Sequence, residues 1–217
     1  MKSIRVAGLD VAFSNFGMAR AEIHPDGIKN LDYTRVNVTD LKLLSTTGMD
    51  KKVVRKSSDD LRRARELLVP MQNFCTTATI AFAEVPHGSQ SARASWSLGV
   101  SVGVLASCPI PVIQVSALEV KMATVGKKTA SKQDMIDWAV SLYPDAQWLH
   151  HGKKLVAANE HLADAVAAIY AGIKTDEFKR LVSLFHTRAD DCQQVKDFWN
   201  STLYKDALLP KQKYHRR

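Results

Sequence analysis

Three carboxylates stand where an isolated carboxylate is costly. Asp10 closes the apolar run that starts at Ile4, Glu84 closes the run IAFA, and Asp164 lies in EHLADAVAAIY among Leu162, Ala163, Ala165, Val166 and Ile169. A charged group at the end of a buried strand, or on the apolar face of a helix, is disfavoured without a positive partner. Each has an ordinary reading alone: Asp10 caps a turn, Glu84 ends a surface strand, Asp164 pairs with a lysine. Together they read differently. If the first and fourth strands are neighbours, two strand ends and one helix bring three carboxylates to one place. Clustered carboxylates repel and hold their protons more tightly unless a cation offsets the charge. Mg²⁺, with Mn²⁺ as a substitute, suits a set of carboxylate oxygens and water. His161 shares a helix face with Asp164 at i, i+3. That makes it a candidate metal ligand or water-orienting base, against the plain alternative of a surface histidine in a first turn. Glu160, at i, i+4, is the weaker candidate. Two-metal carboxylate sites perform in-line phosphoryl chemistry, one ion activating water and the other steadying the leaving 3′ oxygen.

The bulk of the chain agrees with a polyanionic substrate. It has 217 residues and a net charge of +8, so one domain is the default and nucleic acid is the favoured partner. Cys75, Cys108 and Cys192 show no CxxC spacing, which argues against a zinc site and for reduced thiols in a cytoplasmic setting. The sequence enters a strand almost at once, so no signal peptide is expected, and no apolar run has the length of a membrane span.

The elements that must position the carboxylates follow from periodicity and turn signals. Residues 4–10, 16–24 and 31–38 read as a three-stranded meander with a turn at Pro25-Asp26-Gly27. A polar stretch over 40–58 carries Lys42, Lys51, Lys52, Arg55 and Lys56. A helix is expected over 58–75, capped by Ser57 or Ser58, with Asp59 and Asp60 in its positive first turn. A buried strand over 79–85 leads to a helix over 90–107 rich in small residues, a packing or dimer face in which Trp96 is expected in the core. A strand over 111–115, a short helix from Ser116, a helix in KKTASKQDMIDWAVSLYP and an amphipathic helix over 159–175 complete a mixed α/β domain. Residues 176–217 read as one or two further helices and a basic tail.

These segments carry a family likeness. GLDVAFSNFGMA places an Asp after an apolar strand with a Gly several residues on. AFAEVPHGSQSARASWSLGVSVGVL is a strand ending in Glu followed by a helix with the pair Leu98-Gly99. VIQVSALEVKMATVGKKTASKQDMI is a basic segment between strand and helix, and EHLADAVAAIY is a His-x-x-Asp pair in an Ala-rich helix. Over about residues 4–174 the chain resembles the RuvC family of Holliday junction resolvases, within the ribonuclease H-like superfamily. The resemblance implies a five-stranded mixed sheet, its first three strands antiparallel, with helices on both faces. It implies a nuclease domain over 1–175, with 176–217 as a C-terminal helical extension. The implied activity is Mg²⁺-dependent endonuclease cleavage of four-way DNA junctions by a homodimer, in paired symmetric nicks that leave 5′-phosphate ends. Asp10, Glu84 and Asp164 match the family carboxylates, and His161 matches a position that is His or Asp. Lys121, Lys127, Lys128 and Lys132 would lie near the DNA backbone, Lys121 and Lys128 foremost, and Lys51, Lys52, Arg55 and Lys56 extend the basic surface.

Three features depart from the family pattern. The stretch before the first helix is long and basic, residues 176–217 have no counterpart, and the loop Pro86-His87-Gly88-Ser89 lacks an aromatic wedge. Phe13 and Phe16 become the candidates to stack on bases. The alternative these departures leave open is a less selective endonuclease for forks and flaps. A non-catalytic nucleic-acid-binding relative conflicts with the complete acidic set, and an actin-like kinase conflicts with the lack of a second Gly-rich loop.

Overall fold

The computed structural model describes residues 3–26, 32–46, 55–85, 88 and 91–187. Five strands form one sheet: β1 (Ile4–Asp10), β2 (Asn15–Pro25), β3 (Tyr33–Ser45), β4 (Ile80–Glu84) and β5 (Val112–Val115), in the order β3-β2-β1-β4-β5. β2 runs antiparallel to both β1 and β3, whereas β1, β4 and β5 are parallel. This is the mixed sheet expected from the sequence. The helices of the same unit are α1 (Lys56–Cys75), α2 (Ala92–Ala106), α3 (Ala117–Thr124), α4 (Lys132–Leu142) and α5 (Asn159–Gly172). The chain divides into compact units Met1–Thr175 and Asp176–Arg217, and the second opens with α6 (Asp176–Thr187).

Strand parity decides the layers. β1 is central, so both its faces are buried. Ala7 and Leu9 join Phe16 and Met18 of β2, and Ala81 and Ala83 of β4, in a core closed by Leu67, Met71 and Phe74 of α1 and Val104 and Leu105 of α2. The opposite parity, Gly8 on β1 and Gly17 on β2, lies under α5. Because side chains alternate along a strand, Asp10 shares the α5 side with Gly8.

Several elements differ from the sequence reading. β3 continues to Ser45 rather than ending at 38, because a register shift near Thr39 lets pairing resume at Asp40↔Arg20 and run on through Leu43↔Gly17. Bulges of this kind are invisible to strict alternation. α1 starts at Lys56 with Arg55 as its N-cap and no side-chain cap bond, so Ser57 and Ser58 lie inside the helix. Asp59 and Asp60 are buried in the first two turns, Asp59 bonded to Arg62 and Asp60 to Arg93 of α2 at 2.6 Å. Trp96 is 54% exposed, since α2 buries the opposite side through Ser101, Val104 and Leu105. Phe13 and Phe16 are core residues at 5% and 0% exposure, so neither presents a face to a base. A two-stranded hairpin, β6 (His150–His151) with β7 (Lys154–Leu155), stands where the sequence showed only a connection. Among the described residues no helix is long and apolar enough to cross a membrane.

Candidate active site

Backbone register puts the first two carboxylates side by side. Asp10 and Glu84 are partners across the parallel β1–β4 ladder, and Asp10 faces Gly17 across the antiparallel β1–β2 ladder. α5 then descends onto this spot because two strand residues have no side chain. A Cβ on Gly17 would overlap the carbonyl of His161, and one on Gly8 would overlap the carbonyl of Ala165. These close approaches lower the first turns of α5 to the sheet and bring His161 beside Asp10, where its Nδ1 lies 2.6 Å from Asp10 Oδ2. His161 Nε2 faces Glu160 Oε1 at 3.6 Å, and Glu160 in turn accepts from Lys132 Nζ at 2.9 Å. The chain of contacts Asp10–His161–Glu160–Lys132 thus ties β1, α5 and α4 together.

The electrostatics identify a cluster of like charges. Burial, then the charges of Asp10 and Glu84, push the Asp164 carboxyl up to about 7. Asp164 therefore feels both strand carboxylates. The hydrogen bond to Asp10 raises His161 above the ordinary histidine value, outweighing the opposing effect of its burial. Glu160 raises Lys132 in the same way. Among the described residues no group of three or more His, Cys, Asp or Glu is arranged so that it could hold a metal ion. One oxygen of Asp10 is already engaged by His161. The donor chemistry nevertheless fits a hard divalent cation: three carboxylates, mutually repulsive, are what Mg²⁺ or Mn²⁺ ligation would relieve.

Two residues that support the site were not found from sequence. Arg63 of α1 stacks over the Phe13 ring at 3.9 Å and donates to Phe13 O, Ser14 Oγ and Thr46 Oγ1 at 3.0–3.2 Å, fixing the turn just after Asp10. Nothing in its spacing announced this. Asn159 is fully buried directly before Glu160, and its carboxamide bonds the backbone of Leu149 twice and Val156 O once at 2.8–3.0 Å. A polar residue opening an apolar helix was the available signal.

The expected DNA-contacting residues are spread over several elements. Lys127 and Lys128 are exposed in the loop between α3 and α4, and Lys121 is half-buried in the last turn of α3. Lys132 opens α4 and is ion-paired with Glu160. Arg55 is exposed at the start of α1, and Lys56 is the first residue of that helix. Lys51, Lys52 and most of the loop after Glu84 lie outside the described residues.

No protein-family model and no curated protein matches the chain. Solved structures do. The chain is similar to Thermus thermophilus RuvC, with a TM-score of 0.51 and 16% identity over 77% of this chain and 92% of that one. It is similar to T. thermophilus RuvC in complex with a Holliday junction substrate, with a TM-score of 0.53 and the same identity and coverage. At that identity the likeness is one of fold, and the fold is RuvC-like.

Proposed function

We propose that this chain is a metal-dependent endonuclease that cuts branched DNA, with the four-way junction as its preferred substrate. The observation that carries the reading is the placement of Asp10 and Glu84 in register at the centre of a RuvC-like sheet, beneath the helix that brings His161 to Asp10. The solved neighbour bound to a Holliday junction supports the choice of substrate.

In this reading Asp10, Glu84 and Asp164 supply carboxylate oxygens, and His161 is oriented by Asp10 on one ring nitrogen and Glu160 on the other. A divalent cation, when bound, supplies an activated water and neutralises charge on the leaving 3′ oxygen. His161 holds a proton at Nδ1 against Asp10 and so controls which Asp10 oxygen is available. Lys132 balances Glu160 and brings positive charge to the rim where a phosphodiester would lie. Lys121, Lys127, Lys128, Arg55 and Lys56, with Lys51 and Lys52, contact phosphates rather than bases. The active form is a homodimer joined through the exposed, uncharged face of α2 that carries Ala92, Trp96, Gly99 and Gly103. Two-fold symmetry then sets two sites on a two-fold junction and makes paired nicks natural.

The test is cleavage with Mg²⁺ of a four-way junction, a fork and a linear duplex of matched sequence. Paired symmetric nicks confined to the junction, with 5′-phosphate ends, support the proposal. Equal cutting of fork and junction replaces it with the less selective branched-DNA nuclease, and no cutting with Mg²⁺ or Mn²⁺ refutes it.

A further inference from the structure

We infer that the β6–β7 hairpin is a DNA-backbone contact built onto the catalytic helix. The inference rests on the proposed nuclease reading and adds a binding element to it. His150 pairs with Leu155 and His151 with Lys154, leaving Gly152-Lys153 as a two-residue turn. Gly152 has φ of 63°, as a tight hairpin turn of the II′ kind requires at its first position. The tip sequence HHGKK therefore presents two ammonium groups beside two imidazoles; His150, His151, Lys153 and Lys154 are all exposed, and His150 Nδ1 lies 2.9 Å from Trp148 O.

An isolated two-stranded hairpin this short has no stability of its own. This one is held by its root. Asn159 bonds Leu149 N, Leu149 O and Val156 O, and Val156 N bonds Leu149 O at 3.1 Å. Trp148 is buried and donates its indole N–H to Tyr143 O at 2.7 Å. Asn159 is the first residue of α5, directly before Glu160 and His161. The hairpin and the acidic site thus share one rigid attachment.

The charges at this end of the molecule divide by availability. Lys132 is committed to Glu160. Lys153 and Lys154 form no ion pair among the described residues. Unpaired ammonium groups on a fixed support, bonded to the helix that carries His161 and Asp164, suit the phosphates flanking a phosphodiester in the site. A polyanion gains most from such groups because neutralising its phosphates releases bound counterions.

The experiment measures binding without cutting, using Asp10→Asn as the parent. A four-way junction and a linear duplex are titrated at increasing salt, with and without Lys153→Ala and Lys154→Ala. A pair of Lys→Gln substitutions, which keeps most of each stem, guards against a packing effect, and melting curves check the fold. Loss of two phosphate contacts lowers the slope of log affinity against log salt by about 1.8. Across a fourfold rise in salt the parent then loses about 12-fold more affinity than the variant. An unchanged slope, in a parent that binds both DNAs, overturns the hairpin contact and leaves the nuclease reading standing. A parent that binds neither DNA overturns both.

Discussion

Replacing Asp164 by Asn should stabilise the metal-free protein while abolishing its activity. The Asp164 carboxyl is pushed from 3.8 up to about 7, first by burial and then by the charges of Asp10 and Glu84. The folded chain binds this proton more tightly than the unfolded chain. Stability is therefore complete below the unfolded value and is lost as pH rises towards about 7. Each unit is worth about 1.4 kcal/mol, which bounds the penalty at roughly 4 kcal/mol above neutrality. Solvent reaching a half-buried group reduces it to on the order of 2 kcal/mol. Asn keeps the shape and carries no charge. Urea unfolding of chelator-treated protein at about pH 5 and about pH 8 should show Asp164→Asn gaining about 2 kcal/mol at the higher pH and about half that at the lower. His161, whose value Asp10 raises, leaves a smaller fall of stability with pH in both proteins. A variant no more stable than wild type at the higher pH, or equally stabilised at both, refutes the claim that burial and the charges of Asp10 and Glu84 act together on Asp164.

The remaining predictions concern how the site is held. Gly17→Ala forces a methyl into the His161 carbonyl, so urea unfolding should show a loss on the order of 2–3 kcal/mol, and junction cleavage should fall with it. Asn159→Ala removes the partner of Leu149 N–H, costing about 1–3 kcal/mol, and amide exchange should quicken first in the β6–β7 hairpin. Chelation should abolish cleavage, and added Mg²⁺ or Mn²⁺ should restore it without refolding.

The parts of this fold legible in the sequence are those where one local rule dominates. Ile4–Asp10 and Ile80–Glu84 are short apolar runs, and each ends in the acid that chemistry singled out. The five-stranded mixed sheet was implied by the family likeness, and the order β3-β2-β1-β4-β5 comes from the structure. The rest depends on contacts between distant residues. β3 runs past its bulge because β2 offers a continuing partner, and Trp96 is exposed because α2 buries its other side. Arg63 matters only through Phe13, Ser14 and Thr46. The β6–β7 hairpin has strands of two residues, too short for any periodicity, and exists because Asn159 closes its root. For the site, sequence named the carboxylates and His161. It did not reveal that His161 engages Asp10 directly, since that depends on Gly17 admitting the helix.

The most direct test of the account is a comparison of wild type with Asp10→Asn on one four-way junction in Mg²⁺, measuring binding and nicking on the same samples. The account predicts that the variant binds as tightly as wild type, melts no lower, and makes no nicks. A variant that still cuts at the wild-type rate would contradict it, because the acid at the centre of the sheet would then have no part in the chemistry.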